Sequence, residues 1–360
     1  MQIKTATRKY EAWLGEQMPL IRADVAKKHQ AMTQNVFSFL RGTFYRWAQT
    51  FPRVCEELMK STVVLGVGDL HVENFGTWRD IEGRLIWGIN DFDEACRLPY
   101  TVDLVRLAAS AHFAINEGHL HLLKRGASKA ILDGYFAGLK AGGRPFALAE
   151  HHPALREAAV HRLKNPETFW KKLNSFRELR TKPPSSALKG LLKMMPERGL
   201  ELRFAHRIAG TGSLGRRRYI ALGDWHGGSI VREAKELCAS AWLWARSSRV
   251  GNKVWYEDIL RRAVRCPDPF VRLRGRWIIR RLAPDCSKIE LSSLPEQHDA
   301  FRLLRAMGFE TANVHLGSAK AEALLEDVAP RESSWLYSAA ERMVQSTIED
   351  WNEWRNSHAG

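Results

Sequence analysis

Apolar residues recur at helical spacing through residues 10–60, as in Val36, Phe37 and Leu40 and then Phe44, Trp47 and Phe51. This period predicts helices, with Gly42 and Pro52 as the breaks. The pattern then changes. Residues 61–67 are apolar and β-branched, and a second such run, 84–89, follows the turn pair Glu82-Gly83, so strand, loop and strand are predicted. Residues 104–115 predict a buried helix, with Asp103 placed to cap its first N–H groups, and helices are expected to continue to Gly138. Two stretches marked by Gly, Pro and Ser, 140–153 and 181–199, predict loops bracketing a basic helical insert. Strand patterns follow at 200–208, 218–222, 229–234 and 276–282, with a helical segment at 255–264. Residues 301–325 and 334–354 predict closing helices.

Composition narrows the class. The 360 residues exceed one ordinary small core and favour two lobes. No apolar run is long enough for a membrane span, and the N-terminus shows no secretory pattern, so a cytoplasmic protein is expected. The five cysteines, Cys55, Cys96, Cys238, Cys266 and Cys286, form no C-x-x-C pair and read as buried thiols. A formal charge of +15 favours anionic partners. The arginine clusters at 216–218, 261–265 and 272–281 and the thirteen Trp residues have no nucleic-acid motif beside them. The arginines read as solvated, and Trp242, Trp244, Trp277 and Trp351 as core.

Chemistry concentrates in Gly68-Asp69-Leu70-His71-Val72-Glu73-Asn74 and, beyond the predicted hairpin, in Ile89-Asn90-Asp91-Phe92-Asp93. A lone Asp in a loop is usually a turn residue, but this combination suits phosphoryl transfer. Asp69 can take the proton of an attacking hydroxyl, Asn74 can hold a metal, and Asp91 can bridge Mg²⁺ to phosphates. A second signal is Gly210-Thr211-Gly212-Ser213-Leu214-Gly215. A dinucleotide-binding loop would lead into a helix, whereas residues 216–222 have strand character, and no Lys-Ser or Lys-Thr pair completes a P-loop. Strand, glycine loop and strand are how a kinase covers nucleotide phosphates, with a lysine on the following strand. Lys235 is that lysine here. Glu257, on the next helix, is its expected carboxylate partner, with Glu233, Glu236 and Asp258 as competitors.

GDLHVEN resembles the catalytic loop of aminoglycoside and choline phosphotransferases and of protein kinases, and NDFDEA resembles their metal-binding loop. The resemblance implies Asp69 as the catalytic Asp, Asn74 and Asp91 as metal ligands and Asp93 as a further acidic contact. His71 falls where protein kinases often place a phosphate-facing lysine. Here the glycine loop follows the catalytic loop in the chain, the reverse of the usual order. With Phe39-Leu40-Arg41-Gly42 and Asp268-Pro269-Phe270, that order resembles the bacterial domain-of-unknown-function 2252 family. It departs at Arg232-Glu233-Ala234, where apolar residues usually precede the lysine.

The expectation is an α+β, two-lobed, protein-kinase-like fold, circularly permuted. Residues 1–199 form a helical lobe with the catalytic and metal loops, 200–298 a small sheet lobe with the nucleotide loop, and 299–360 helices returning to the first lobe. ATP and Mg²⁺ are the expected cofactors, with Gly210, Thr211, Gly212, Ser213, Gly215, Lys235 and Glu257 around the nucleotide. The acceptor is left open. Nucleotidyl transfer, a nucleotide-binding pseudoenzyme and a basic nucleic-acid-associated protein are the alternatives.

Overall fold

Helical periodicity at the N-terminus resolves into four helices, α1 (Ile3–Gln17), α2 (Arg22–Gln34), α3 (Val36–Gly42) and α4 (Phe44–Val54). The computed structural model describes residues 1–148, 155–156, 165–246, 253–284, 286 and 297–358. Asn35 caps α3 by accepting from the Ser38 N–H at 2.7 Å. Gly42 closes α3 as expected. Pro52, expected as a break, instead lies inside the last turn of α4, where the chain is about to leave the helix anyway.

Four short strands come next: β1 (Val63–Gly66), β2 (Phe75–Arg79), β3 (Leu85–Ile89) and β4 (Cys96–Pro99). β1 pairs antiparallel with β4. β2 and β3 form a hairpin, joined at its edge by β5 (Phe146–Ala147); β2 lies in the stretch expected as the loop between the strands at 61–67 and 84–89. Between them in sequence lie α5 (Tyr100–Asn116), buried along almost its whole length, and α6 (Lys124–Lys140).

The second sheet is five-stranded and antiparallel, in the order β6 (Arg203–His206), β7 (Arg218–Trp225), β8 (Gly228–Glu236), β10 (Trp277–Arg281) and β9 (Val271–Arg274). His226 and Gly227, both at positive φ, form the tight turn between β7 and β8. Both faces are covered. Ala221, Ala234 and Ile279 pack with Ala187 and Leu191 of α8 (Ser185–Lys193). Ile220, Leu222 and Val231 pack with Phe169 and Leu173 of α7 (Pro166–Asn174). The stretch 181–199, expected as a loop, therefore contains a helix, because its apolar stripe has a sheet face to bury. Both α7 and α8, which precede residue 200, pack on the faces of this sheet.

Two short helices follow the sheet's central hairpin, α9 (Ala241–Ala245) and α10 (Tyr256–Arg262). The expected helix 301–325 is two helices, α11 (Gln297–His315) and α12 (Ala321–Val328). The last helix is α13 (Trp335–Asn356). These return to the first half of the chain: a Cβ at Gly134 of α6 would lie 1.8 Å from the Arg305 carbonyl, and one at Gly308 1.9 Å from that of Ile131. Only paired glycines let α6 and α11 approach so closely. Among the described residues no helix is long and apolar enough to cross a membrane. Among the described residues no disulfide forms; Cys55, Cys96 and Cys238 are buried and Cys266 and Cys286 half-buried.

Candidate functional site

The chain leaves β1 through Gly68, at φ 81°, where a Cβ would meet the Glu94 carbonyl at 2.4 Å. The loop is anchored from below. Asp103 accepts from the N–H groups of Val67 at 2.7 Å and Gly68 at 2.8 Å. His315 Nε2 donates to the same carboxylate at 3.0 Å, and the Tyr135 hydroxyl donates to His315 Nδ1 at 2.9 Å. Asp103 thus does not cap its own helix, which begins three residues earlier. It braces the loop that presents Asp69.

Asp69 is held by Arg106, whose Nε donates to Oδ1 at 2.8 Å and whose Nη2 joins the same oxygen. Arg106 is wholly buried, with the rings of Phe44 and Trp47 each 5.0 Å from its guanidinium, and also donates to the Leu40 carbonyl at 2.8 Å. Burial pushes Asp69 up to about 6, against the pull of Arg106.

The register of the β2–β3 hairpin explains the next pair. Phe75 lies opposite Ile89, and the Asn90 N–H donates to the Asn74 carbonyl at 3.0 Å, so Asn74 and Asp91 leave the same open end. His71 is buried and structural in part: its Nδ1 accepts from the Glu73 N–H at 3.2 Å, opening the short 3₁₀ turn Val72–Asn74. Asn74 Oδ1 and Asp93 Oδ1 are buried oxygens with no hydrogen-bond partner among the described residues. Burial, and then the neighbouring Asp91 carboxylate, hold Asp93 above the usual carboxylate range. Among the described residues no three His, Cys, Asp or Glu side chains converge as a complete metal cage. Two carboxylates and one amide oxygen are a hard, incomplete donor set, which fits an ion such as Mg²⁺ that keeps waters and phosphate oxygens as further ligands.

The five-stranded sheet meets these loops directly. Arg218, Lys235 and Ile278 stand side by side across β7, β8 and β10, on one sheet face. Lys235 is buried, with Nζ 3.6 Å from Asp91 Oδ1 and in closer contact with Asp93 Oδ2. Its partners are therefore Asp91 and Asp93. Glu257 is exposed on α10 and does not pair with it. The competing acids are also engaged elsewhere: Glu233 with Arg207, Arg218 and Arg280, Glu236 with Arg217, and Asp258 with Lys253 and Arg261. Burial opposes the charge on Glu233, but its three arginines outweigh that and hold its carboxyl well below the usual range.

The glycine loop forms a short 3₁₀ turn, Thr211–Ser213, with no helix directly after Gly215. A Cβ on Gly212 would lie 2.8 Å from the Arg41 carbonyl and 3.4 Å from Asp69 Oδ2, so the loop tip sits over Asp69. Arg218 Nη2 donates to the Ser213 hydroxyl at 2.7 Å. Gly215 lies outside the cavity, its carbonyl accepting from the Ile21 N–H at 2.8 Å. A cavity of about 50 Å³ remains, with Lys28, Asp69, Asn74, Asp91, Gly212 and Arg216 on its walls. That is room for a few waters or one tetrahedral oxyanion.

Arg106, Glu94, Lys28 and Arg216 are site residues that sequence reasoning passed over. Arg106 carried a signal, a lone charge inside the apolar run 104–109. Arg216 and Arg218, read as solvated, are buried, because Glu94 and Glu233 neutralise them. Lys28 lies in a polar helix and carried none.

Residues 20–191 match the model of a family described as uncharacterized protein conserved in bacteria (DUF2252). The match supports that family resemblance over a span holding Asp69, Asn74 and Asp91, and it ends before the glycine loop and Lys235. No curated protein and no solved structure matches the chain.

Proposed function

We propose that this cleft is the site of an ATP-dependent phosphotransferase with a two-lobed, circularly permuted kinase-like arrangement. The observation that carries the reading is convergence. Gly212 approaches Asp69, and Lys235 approaches Asp91, although each pair comes from distant parts of the chain. A nucleotide needs its phosphates under a glycine loop, beside a lysine and next to oxygen ligands for a metal; the glycine loop, Asp69, Asn74, Asp91 and Asp93 line one small cavity, and Lys235 contacts two of these wall residues, Asp91 and Asp93.

In this reading Asp69 takes the proton of an acceptor hydroxyl as its oxygen bonds to phosphorus and the diphosphate leaves. Arg106 keeps the carboxylate aimed. Asn74, Asp91 and Asp93 would hold Mg²⁺, which when bound supplies positive charge to the phosphoryl oxygens. Lys235 moves from Asp91 and Asp93 to phosphate oxygens, and the nearby Thr211–Ser213 turn presents backbone to them. A cavity of about 50 Å³ is too small for a whole nucleoside triphosphate, so in this reading the glycine loop lifts to admit it.

Thermal unfolding with Mg²⁺ and ATP tests the reading. A ligand at 100 times its Kd stabilises by about 2.7 kcal/mol, so a concentration-dependent rise in Tm is expected. The Asp91→Ala variant should lose most of the Mg²⁺-dependent part of that rise. No rise at millimolar nucleotide would remove the reading.

A further inference from the structure

α2 is polar, yet it turns Asp24, Lys28 and Met32 inward at spacings of four. Asp24 has a reason to be there, since His206 Nε2 lies 2.7 Å from its carboxylate. Lys28 has none within the protein. It is 6% exposed, and among the described residues it makes no hydrogen bond or ion pair; its ammonium lies 5.6 Å from the Tyr45 ring centroid. Across the cavity Arg216 is also buried. Its Nη2 donates to Glu94 at 2.7 Å, but Nε and Nη1 have no hydrogen bond, and Nη1 has only a longer approach of 3.7 Å to Asp93. A largely buried lysine side chain thus brings its ammonium to the cavity without an ion pair among the described residues, and the cavity is of oxyanion size.

We propose that Lys28 and Arg216 form an oxyanion subsite beside Asp69, taking a phosphate-type group. That group is either the terminal phosphate of a nucleotide or an anionic substituent on the acceptor. Its place in a transfer reaction rests on the phosphotransferase reading, whereas the subsite itself does not. Burial brings the Lys28 ammonium down to about 8, against the opposing charge of Glu11, so it is charged at neutral pH. The position suits an anion held one side chain away from the group that would take the acceptor's proton.

The test is thermal unfolding of the full chain with inorganic phosphate alone, then with Mg-ADP and Mg-ATP, for wild type, Lys28→Met, Lys28→Gln and Lys28→Arg. Phosphate should raise the wild-type Tm. Lys28→Met should melt at or above the wild-type temperature without phosphate, since an unpaired charge is gone, and bind phosphate at least about tenfold more weakly, equivalent to 1.4 kcal/mol. Lys28→Gln reports the same loss if the Met variant fails to fold, and Lys28→Arg should keep the response. No phosphate shift in wild type, or an undiminished one in the Met and Gln variants, overturns the subsite. Loss of the Mg-ATP shift with Mg-ADP's retained assigns it to the terminal phosphate, and retention of both assigns it to the acceptor. A phosphate shift without any Mg-ATP shift keeps the subsite and removes the phosphotransferase reading.

Discussion

Asp69 joins two opposing influences in one side chain. Burial raises its pKa, and the Arg106 guanidinium lowers it, leaving it near 6 in the free protein. If Asp69 takes a proton in the reaction, kcat/KM should rise with pH through about 6 as the carboxylate forms. The stability sign is the reverse. Because its folded pKa lies above the unfolded value, the folded state binds more protons between the two, and this group's contribution falls as pH climbs through 6. Asp69→Asn should cut turnover by about 10²-fold to 10⁴-fold and flatten that limb, while the thermal shift with Mg-ATP persists. Arg106→Met should move the limb above pH 6. It should also cost about 3 kcal/mol in denaturant unfolding, the low end for a broken buried pair, because Asp69 keeps some contact with solvent.

At the scale of elements, the loop after β1 depends on a carboxylate reaching it from α5. Removing that carboxylate in Asp103→Ala leaves two buried N–H groups, on Val67 and Gly68, without a partner. Each costs about 1–3 kcal/mol, so a lowered denaturation midpoint is expected, and Asn should rescue part of it. The glycine loop makes a different demand. Gly212→Ala adds a methyl against the Arg41 carbonyl, which backbone cannot yield cheaply. The expected outcome is weaker nucleotide binding in titration calorimetry with a Tm within a few degrees of wild type. Period and turn chemistry predicted β1, β3, β7, β8 and β10 but not β2, which lies in the stretch expected as a loop. They missed α8, whose apolar stripe has meaning only against the sheet face it covers.

For the whole molecule, Glu94 is a joint between the halves. Its Oε1 accepts from Arg216 at 2.7 Å, its Oε2 accepts from the Ala241 N–H at 2.6 Å, and its backbone carbonyl lies over Gly68. Glu94→Ala would strand the Arg216 charge in a buried position, a loss of about 3–5 kcal/mol, and scanning calorimetry should then resolve a broadened or two-step transition as the lobes uncouple. Local sequence determined where the chemistry-bearing loops occur: Asp69, Asn74 and Asp91 follow from residue type, spacing and a hairpin. Lys235 stands out in the sequence as a lysine in the second strand pattern after the glycine loop, and it lies on β8. Its partners were not legible there. Charge partnership depends on which groups meet when surfaces are buried, and a sequence of +15 gives no hint that Arg216 and Arg218 are inside it. Only tertiary structure decided that Lys235 meets Asp91 and Asp93 and leaves Glu257 in solvent. It alone left Lys28 in the cavity without a counter-charge, because strand register and helix packing fix distances between residues that the chain keeps far apart.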